Sequence, residues 1–282
     1  MADNSVTAEL RNTWEAAAPG WAKWEHTFAT SFSQATDALI DMAGIRPGMR
    51  ILDIACGAGS QSLQAAKRVG PRGEVVASDI SAAMLEQVRQ NATRAGLENI
   101  ETLECAADEL PKTLPPFDAA ICRMGLMLFP SPPEALEAVL HLLKPGARFA
   151  ALVFTTPSDN LFLAQPMAIL LRHAAKPAPP PGSPGIFALG ASGHLKNLMK
   201  DNRLTDVETK IVRTRLVLPS ARDALHLMQE AAGAYRAVVA NLDSEAKSKA
   251  WEEVYECLKQ FESDSGFETK LEAIIGSGAK QN

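Results

Sequence analysis

The stretch RILDIACGAGS, residues 50–60, decides the fold. A β-prone run at 50–55 carries an acidic residue near its end, Asp53, and leads through Gly57 and Gly59 into a helix-length segment at 60–69. The glycines let a ligand approach the backbone closely. The first turn of the following helix offers unpaired N–H groups to an anionic group, a phosphate or equally a carboxylate. Alone, the same turn is only a tight strand-to-helix connection. Position 62, where the third glycine of a dinucleotide fingerprint would fall, is Ser62, and the lysine of a triphosphate-binding loop is missing. Neither a pyrophosphate nor a nucleoside triphosphate is therefore indicated.

Working outward from this turn, β-prone runs at 74–79, 100–104, 118–122 and 147–154 alternate with helix-length segments at 81–95 and 133–143. This alternation is the pattern of a parallel sheet with helices on both faces, an α/β architecture. Two further acids sit where that architecture gathers ligands. Asp79 ends the second strand 20 residues beyond Gly59, in position to accept hydrogen bonds from both hydroxyls of a ribose or to cap the helix that starts near Ser81. Asp108 follows the third strand in the neighbourhood of an exocyclic adenine amine, and by itself would be an ordinary turn residue.

Together these residues resemble the class I S-adenosylmethionine-dependent methyltransferases, and within them the small-molecule branch similar to the ubiquinone and menaquinone biosynthesis C-methyltransferases. The resemblance runs from Gly48 to Phe154, through ILDIACGAGS, EVVASDISAAML, CAADELP, FDAAICRMGLMLF and LHLLKPGARF in the family's order. It implies S-adenosylmethionine as cofactor and a Rossmann-like, seven-stranded, mostly parallel sheet whose last strand is antiparallel. It also implies roles for individual residues. Asp53, Ala55, Cys56 and Gly57 would line the methionine part, and Gly59 would allow close packing. Asp79 would hold the ribose, Ile80 and Met84 would pack on adenine, and Ala107 with Asp108 would read its amine. Arg123 and Met124 would close over the methionine portion, the Arg123 side chain serving either the cofactor carboxylate or a structural salt bridge.

The rest of the chain is expected to surround that core, which itself spans 44–155. Residues 1–43 read as an N-terminal helical cap, 156–191 as a lid or cap segment with an apolar run at 161–171, and 192–220 as a return to the core through helix 193–200 and a sixth strand, 205–218. A helical insertion follows at 221–264, with helices near 221–241 and 244–262, before a last strand at 267–276 within 265–282. The proline-rich loop 177–185 is either a hinge for the lid or a rigid connector. Placing helices between the sixth and seventh strands departs from the plainest members of the family, which join them by a hairpin.

Methyl transfer from a sulfonium needs alignment and exclusion of water more than a catalytic side chain. A general base is required only if the acceptor must lose a proton, and Glu25, His26, His173 and His194 are the candidates, none favoured. Trp14, Trp21 and Trp24 share a face if their segment is helical, although Pro19-Gly20 interrupts it. Trp21, Trp24 and His26 are accordingly candidate acceptor contacts, with packing of the cap on the core as the alternative for the tryptophans.

The formal charge of −5, from 28 basic and 33 acidic residues, supplies no basic stripe for nucleic acid. No secretory signal and no membrane-spanning run is present, so a cytoplasmic protein acting on a small, partly apolar molecule is expected. Cys56, Cys105, Cys122 and Cys257 are too scattered for a metal site and read as reduced core thiols. A non-catalytic S-adenosylmethionine-binding sensor or scaffold would keep the same three acids. The oligomeric state is not legible.

Overall fold

The computed structural model describes residues 4–180 and 182–281, and side chains from residue 7 onward. Met1 to Asp3 of the expected cap, Pro181 of the proline-rich loop and Asn282 of the tail lie outside the described residues.

Five strands run in the alternating order expected: β1 (Arg50–Ile54), β2 (Glu74–Asp79), β3 (Ile100–Glu104), β4 (Phe117–Arg123) and β5 (Leu143–Phe154). Helices α3 (Ser60–Val69), α4 (Ala82–Ala95) and α5 (Pro132–Leu142) connect β1 to β2, β2 to β3 and β4 to β5. The helix bounds follow from local chemistry. Ser81 caps α4 by accepting the Met84 N–H at 3.1 Å, Gly96 closes it in the left-handed conformation, and α5 opens on Pro132.

Two helices precede the sheet, α1 (Asn4–Lys23) and α2 (Glu25–Met42). Contrary to the sequence expectation, α1 runs through Pro19-Gly20 and the chain breaks at Trp24 instead. Beyond β5 come α6 (Leu161–His173), α7 (His194–Asp201) and β6 (Leu204–Leu218), then α8 (Ala221–Ala231), α9 (Gly233–Val238), α10 (Ser244–Leu258), β7 (Glu262–Ser263) and β8 (Gly266–Lys280). The helix expected at 221–241 is thus two, because the backbone leaves the helical region at Ala232, with φ −93° and ψ 85°.

The strand order is β3-β2-β1-β4-β5-β8-β6, with the two-residue β7 pairing only β8. β8 is antiparallel to both neighbours, β5 and β6, so the expected seven-stranded sheet with its last long strand reversed is present, and β7 adds a short ribbon outside it. The strands β1, β2, β4 and the second half of β5 are near-continuously buried because helices cover both faces. One apolar cluster, containing Leu52, Phe117, Phe149 and Phe267, joins the sheet to α5, α6, α8 and α10. Another, containing Leu39, Ile51, Val69 and Ile121, joins it to α2 and α3.

Chain order jumps from β1 to β4 at the centre of the sheet, leaving a crevice at the strand ends where the connecting loops diverge to opposite faces. Helices from outside the alternating core lie over that crevice. α1 packs on α8 and α4, and α6 on α10. No helix among the described residues is long and apolar enough to cross a membrane.

Candidate functional site

A cavity of about 470 Å³ lies at the C-terminal ends of β1, β2 and β4 and extends under α1, α6, α8 and α9. Its first wall is the turn after β1. Ala55 leaves the strand with φ +52°, a left-handed conformation that is unfavourable for alanine and is held here by the Cys56 N–H bonding to the Ser78 carbonyl at 3.0 Å. A side chain at Gly57 would meet no atom of the chain, so the backbone there faces open space. At Gly59, by contrast, a Cβ would stand 2.9 Å from a methyl of Val88, and the glycine lets α3 and α4 approach. Gly59 does not line the cavity.

Asp53 does not line it either, which corrects the expectation that it touches a ligand. Its side chain is fully buried beneath the turn, where it accepts a hydrogen bond from Ser62 Oγ and sits 3.5 Å from Gln61 Nε2. Burial pushes its carboxyl up to about 7, against the opposing hydrogen bond from Ser62 and the attraction of Arg123. Asp53 positions the start of α3.

Asp79, at the end of β2, does face the cavity. One carboxylate oxygen accepts the Gly57 N–H at 2.9 Å and the other the Ser81 N–H at 3.0 Å, which fixes the carboxylate and ties the β1 turn to β2. Each oxygen keeps further acceptor capacity. Burial raises its pKa, opposed by those backbone N–H groups. The helix cap is Ser81, not Asp79. Ile80 and Met84 lie beside Asp79 on the same wall, joined by Ala107 and Asp108 from the turn after β3. Among the described residues nothing bonds the Asp108 carboxylate.

At the end of β4, Arg123 and Met124 form the opposite wall, Met124 with φ +64° and its N–H bonded to the Leu152 carbonyl at 2.7 Å. Arg123 is 8% exposed. Its guanidinium donates to Thr36 Oγ1 at 2.9 Å and Ser60 Oγ at 2.6 Å and lies 5.7 Å from the centre of the Phe32 ring. Among the described residues no carboxylate lies within 4.0 Å of it, so the structural salt bridge that was the alternative for this residue is not formed. Burial lowers its pKa to about 10, against the attraction of Asp53 and Glu25. Thr36 and Ser60, which hold the guanidinium, stand behind the cavity lining, whereas Gln61 borders it; Thr36 and Gln61 carry no motif and were not singled out from the sequence.

The remaining surface is predominantly apolar. Phe28, Phe154, Phe162, Met228 and Ile186 contribute, with Pro184 and Gly185 of the proline-rich loop beside them. The Gly185 N–H bonds to the Met127 carbonyl at 2.9 Å, which ties that loop to the wall. Tyr235 supplies a hydroxyl, but it donates to the Leu163 carbonyl at 2.8 Å and burial pushes its pKa well up, so it is no base.

Trp14 and Trp21 line the cavity from α1, with ring centres 6.4 Å apart, and Trp21 stacks on Phe28 at 4.4 Å. Trp24 and His26 do not. Trp24 donates from Nε1 to Glu230 at 2.7 Å, pinning the α1–α2 junction to α8, and His26 is exposed on the outer face of α2. Of the other base candidates, Glu25 and His194 are also off the cavity, and His173 pairs with Glu253 at 2.8 Å.

Comparison with known proteins agrees with this geometry. Residues 45–172 match the family model described as a methyltransferase domain. A ubiquinone/menaquinone biosynthesis C-methyltransferase, UbiE of Pseudomonas aeruginosa, is 39% identical over 123 residues, 43% of this chain and 48% of that protein. The chain therefore spans about half the length of the curated relatives it matches. Among solved structures, one from Bacillus halodurans C-125 superposes with a TM-score of 0.59 at 17% identity over 88% of this chain and 100% of that one. The [4+2]-cyclase SpnF superposes with a TM-score of 0.55 at 17% identity over 88% of this chain and 81% of that one. Residues 45–172, which carry the turn after β1 and the cavity walls at the ends of β2 and β4, thus match a class I, S-adenosylmethionine-dependent methyltransferase domain.

Proposed function

We propose that this protein transfers a methyl group from S-adenosylmethionine to a small, largely apolar acceptor held in the same cavity. One observation carries the reading. The cavity is charged at the ends of β1, β2 and β4, where Asp79, Asp108 and Arg123 face it, and predominantly apolar beyond. The polar end fits the cofactor. Arg123 is a buried cation without a carboxylate partner, suited to the cofactor carboxylate together with the first N–H groups of α3. Asp79 has acceptor capacity left for ribose hydroxyls, Asp108 is free to accept from an adenine amine, and Met84 and Ile80 offer apolar contact to the ring.

When bound, the sulfonium supplies an electrophilic methyl carbon. The chain's own task is to orient and to keep water out. Fixed dipoles on the Gly57 and Asp79 side hold one reactant, and the apolar walls hold the other against it in a water-poor space, an arrangement able to contribute several kcal/mol through alignment alone. α1, α6, α8 and α9 act as a cap over the acceptor end, with Trp14 and Trp21 as the inner face of α1.

A second reading, binding of the cofactor without methyl transfer, draws on the cyclase named above, a protein of the same fold named for a different reaction. Calorimetric titration of S-adenosylmethionine and its demethylated product into wild type, Asp79→Ala and Asp108→Ala tests both, with NAD as control. Micromolar-range binding weakened about tenfold or more by either substitution supports the cofactor site. Methyl transfer to an apolar acceptor then separates enzyme from sensor. Absence of binding to either compound refutes the proposal.

A further inference from the structure

Gln61 is the second residue of α3, is 2% exposed, and borders the cavity. Its Nε2 donates to the Cys56 carbonyl at 3.0 Å and lies 3.5 Å from Asp53 Oδ1. Its Oε1 has no hydrogen-bond partner, alone in this respect among the buried side-chain nitrogens and oxygens of the described residues. Turning the amide over does not relieve this. It would set Oε1 against the Cys56 carbonyl, which can only accept, and lose the one good bond the amide makes. The chemistry of its neighbours therefore fixes the amide with the unpaired oxygen on the far side from Asp53.

Buried acceptors are nearly always satisfied, and one left open beside a cavity points to a donor that arrives with a ligand. Arg123 makes the complementary demand from the same cavity, a buried cation with hydroxyl partners and no carboxylate within 4.0 Å among the described residues. One acceptor without a donor and one cation without an anion, both at the ends of β1 and β4, match the two halves of an amino-acid zwitterion.

We propose that Gln61 is a specificity-determining residue that accepts a hydrogen bond from the α-ammonium of the cofactor, so that the chain selects adenosyl compounds bearing an amino-acid end over those lacking the amine. The assignment rests on the cavity's being the S-adenosylmethionine site. Gln61 forms no part of any motif quoted above. It acts as a binding residue for a group remote from the reacting carbon, with Asp53 beneath it as a positioning residue.

The test is calorimetric titration of the full chain, wild type and Gln61→Met, with three probes: S-adenosylhomocysteine, its deaminated analogue and 5′-methylthioadenosine. Wild type should bind S-adenosylhomocysteine at least about tenfold more tightly than the deaminated analogue, the usual worth of a charge-assisted hydrogen bond. Gln61→Met should lose about that factor for S-adenosylhomocysteine while 5′-methylthioadenosine and the deaminated analogue change by less than about threefold, which also shows that the variant is folded. Equal loss for all three probes, or no loss for any, overturns the proposal. If the variant does not fold, wild type alone decides, and a preference for the amine below about threefold overturns it. Failure of wild type to bind any of the three would instead remove the cofactor reading on which it rests.

Discussion

Replacing Asp53 by asparagine should stabilise the protein at alkaline pH. Asp53 is fully buried, and its carboxyl rises from 3.8 to about 7 on folding, with burial as the largest cause. The native state therefore holds the proton more tightly than the unfolded chain. The stability contributed by this group is complete below pH 3.8 and is lost as the pH climbs toward 7. A shift of roughly three units at about 1.36 kcal/mol each makes the loss about 4 kcal/mol by pH 8, with the attraction of Arg123 already inside the net figure. Asparagine keeps an oxygen to accept from Ser62 Oγ and carries no charge to desolvate. Urea unfolding of both proteins between pH 5 and pH 8 should show wild type losing stability with pH relative to the variant, the two diverging up to about pH 7 and running parallel above it. Asp79, also raised by burial, gives both proteins a slope of the same sign, eased in the variant by loss of the Asp53 charge that repels it. Curves parallel across the whole range, or a variant less stable than wild type at pH 8, would refute the reasoning.

Two further outcomes follow from close contacts described above. A Cβ at Gly20 would lie 2.1 Å from the Glu230 carbonyl oxygen, so Gly20→Ala should push α1 off α8, cost about 1–3 kcal/mol in thermal unfolding and expose α1 to early proteolysis. Arg123→Met should weaken S-adenosylhomocysteine binding about tenfold or more in calorimetry while leaving 5′-methylthioadenosine, which has no carboxylate, nearly unchanged.

The alternating core was legible because each of its signals is local. Asp79 and Glu104 end β2 and β3 where expected, and Ser60–Val69 is the expected helix, since breakers and caps mark these bounds in the sequence itself. What was not legible depends on partners distant in the chain. Pro19 does not end α1, because Gly20 lies against α8 and Trp21 Nε1 bonds the Ala231 carbonyl at 3.0 Å, and tertiary contacts hold the helix through the proline. The break at Ala232 carries no glycine or proline of its own before Gly233. In the site, Ala55, Cys56, Gly57, Asp79, Ile80, Met84, Ala107, Asp108, Arg123 and Met124 all border the cavity. Asp53 lies behind it, because a strand residue one position out of phase points to the other face of the sheet. Thr36 and Gln61 were invisible, since nothing in a lone threonine or glutamine announces which carbonyl or guanidinium will stand opposite it.

The placement of β8 bears on how the chain reaches this state. It is the last strand in the sequence yet lies between β5 and β6, paired along most of its length with β6 and through residues 273–279 with β5. During synthesis β6 has no neighbour to join until residues 266–280 have left the ribosome, and until then β5 and β6 both present open edges. Leu271, carried by the same strand, belongs to the cavity wall. The cavity wall therefore lacks Leu271 until β8 is in place, so a nascent chain stalled before residue 266 carries the polar end of the cavity but an unfinished apolar wall.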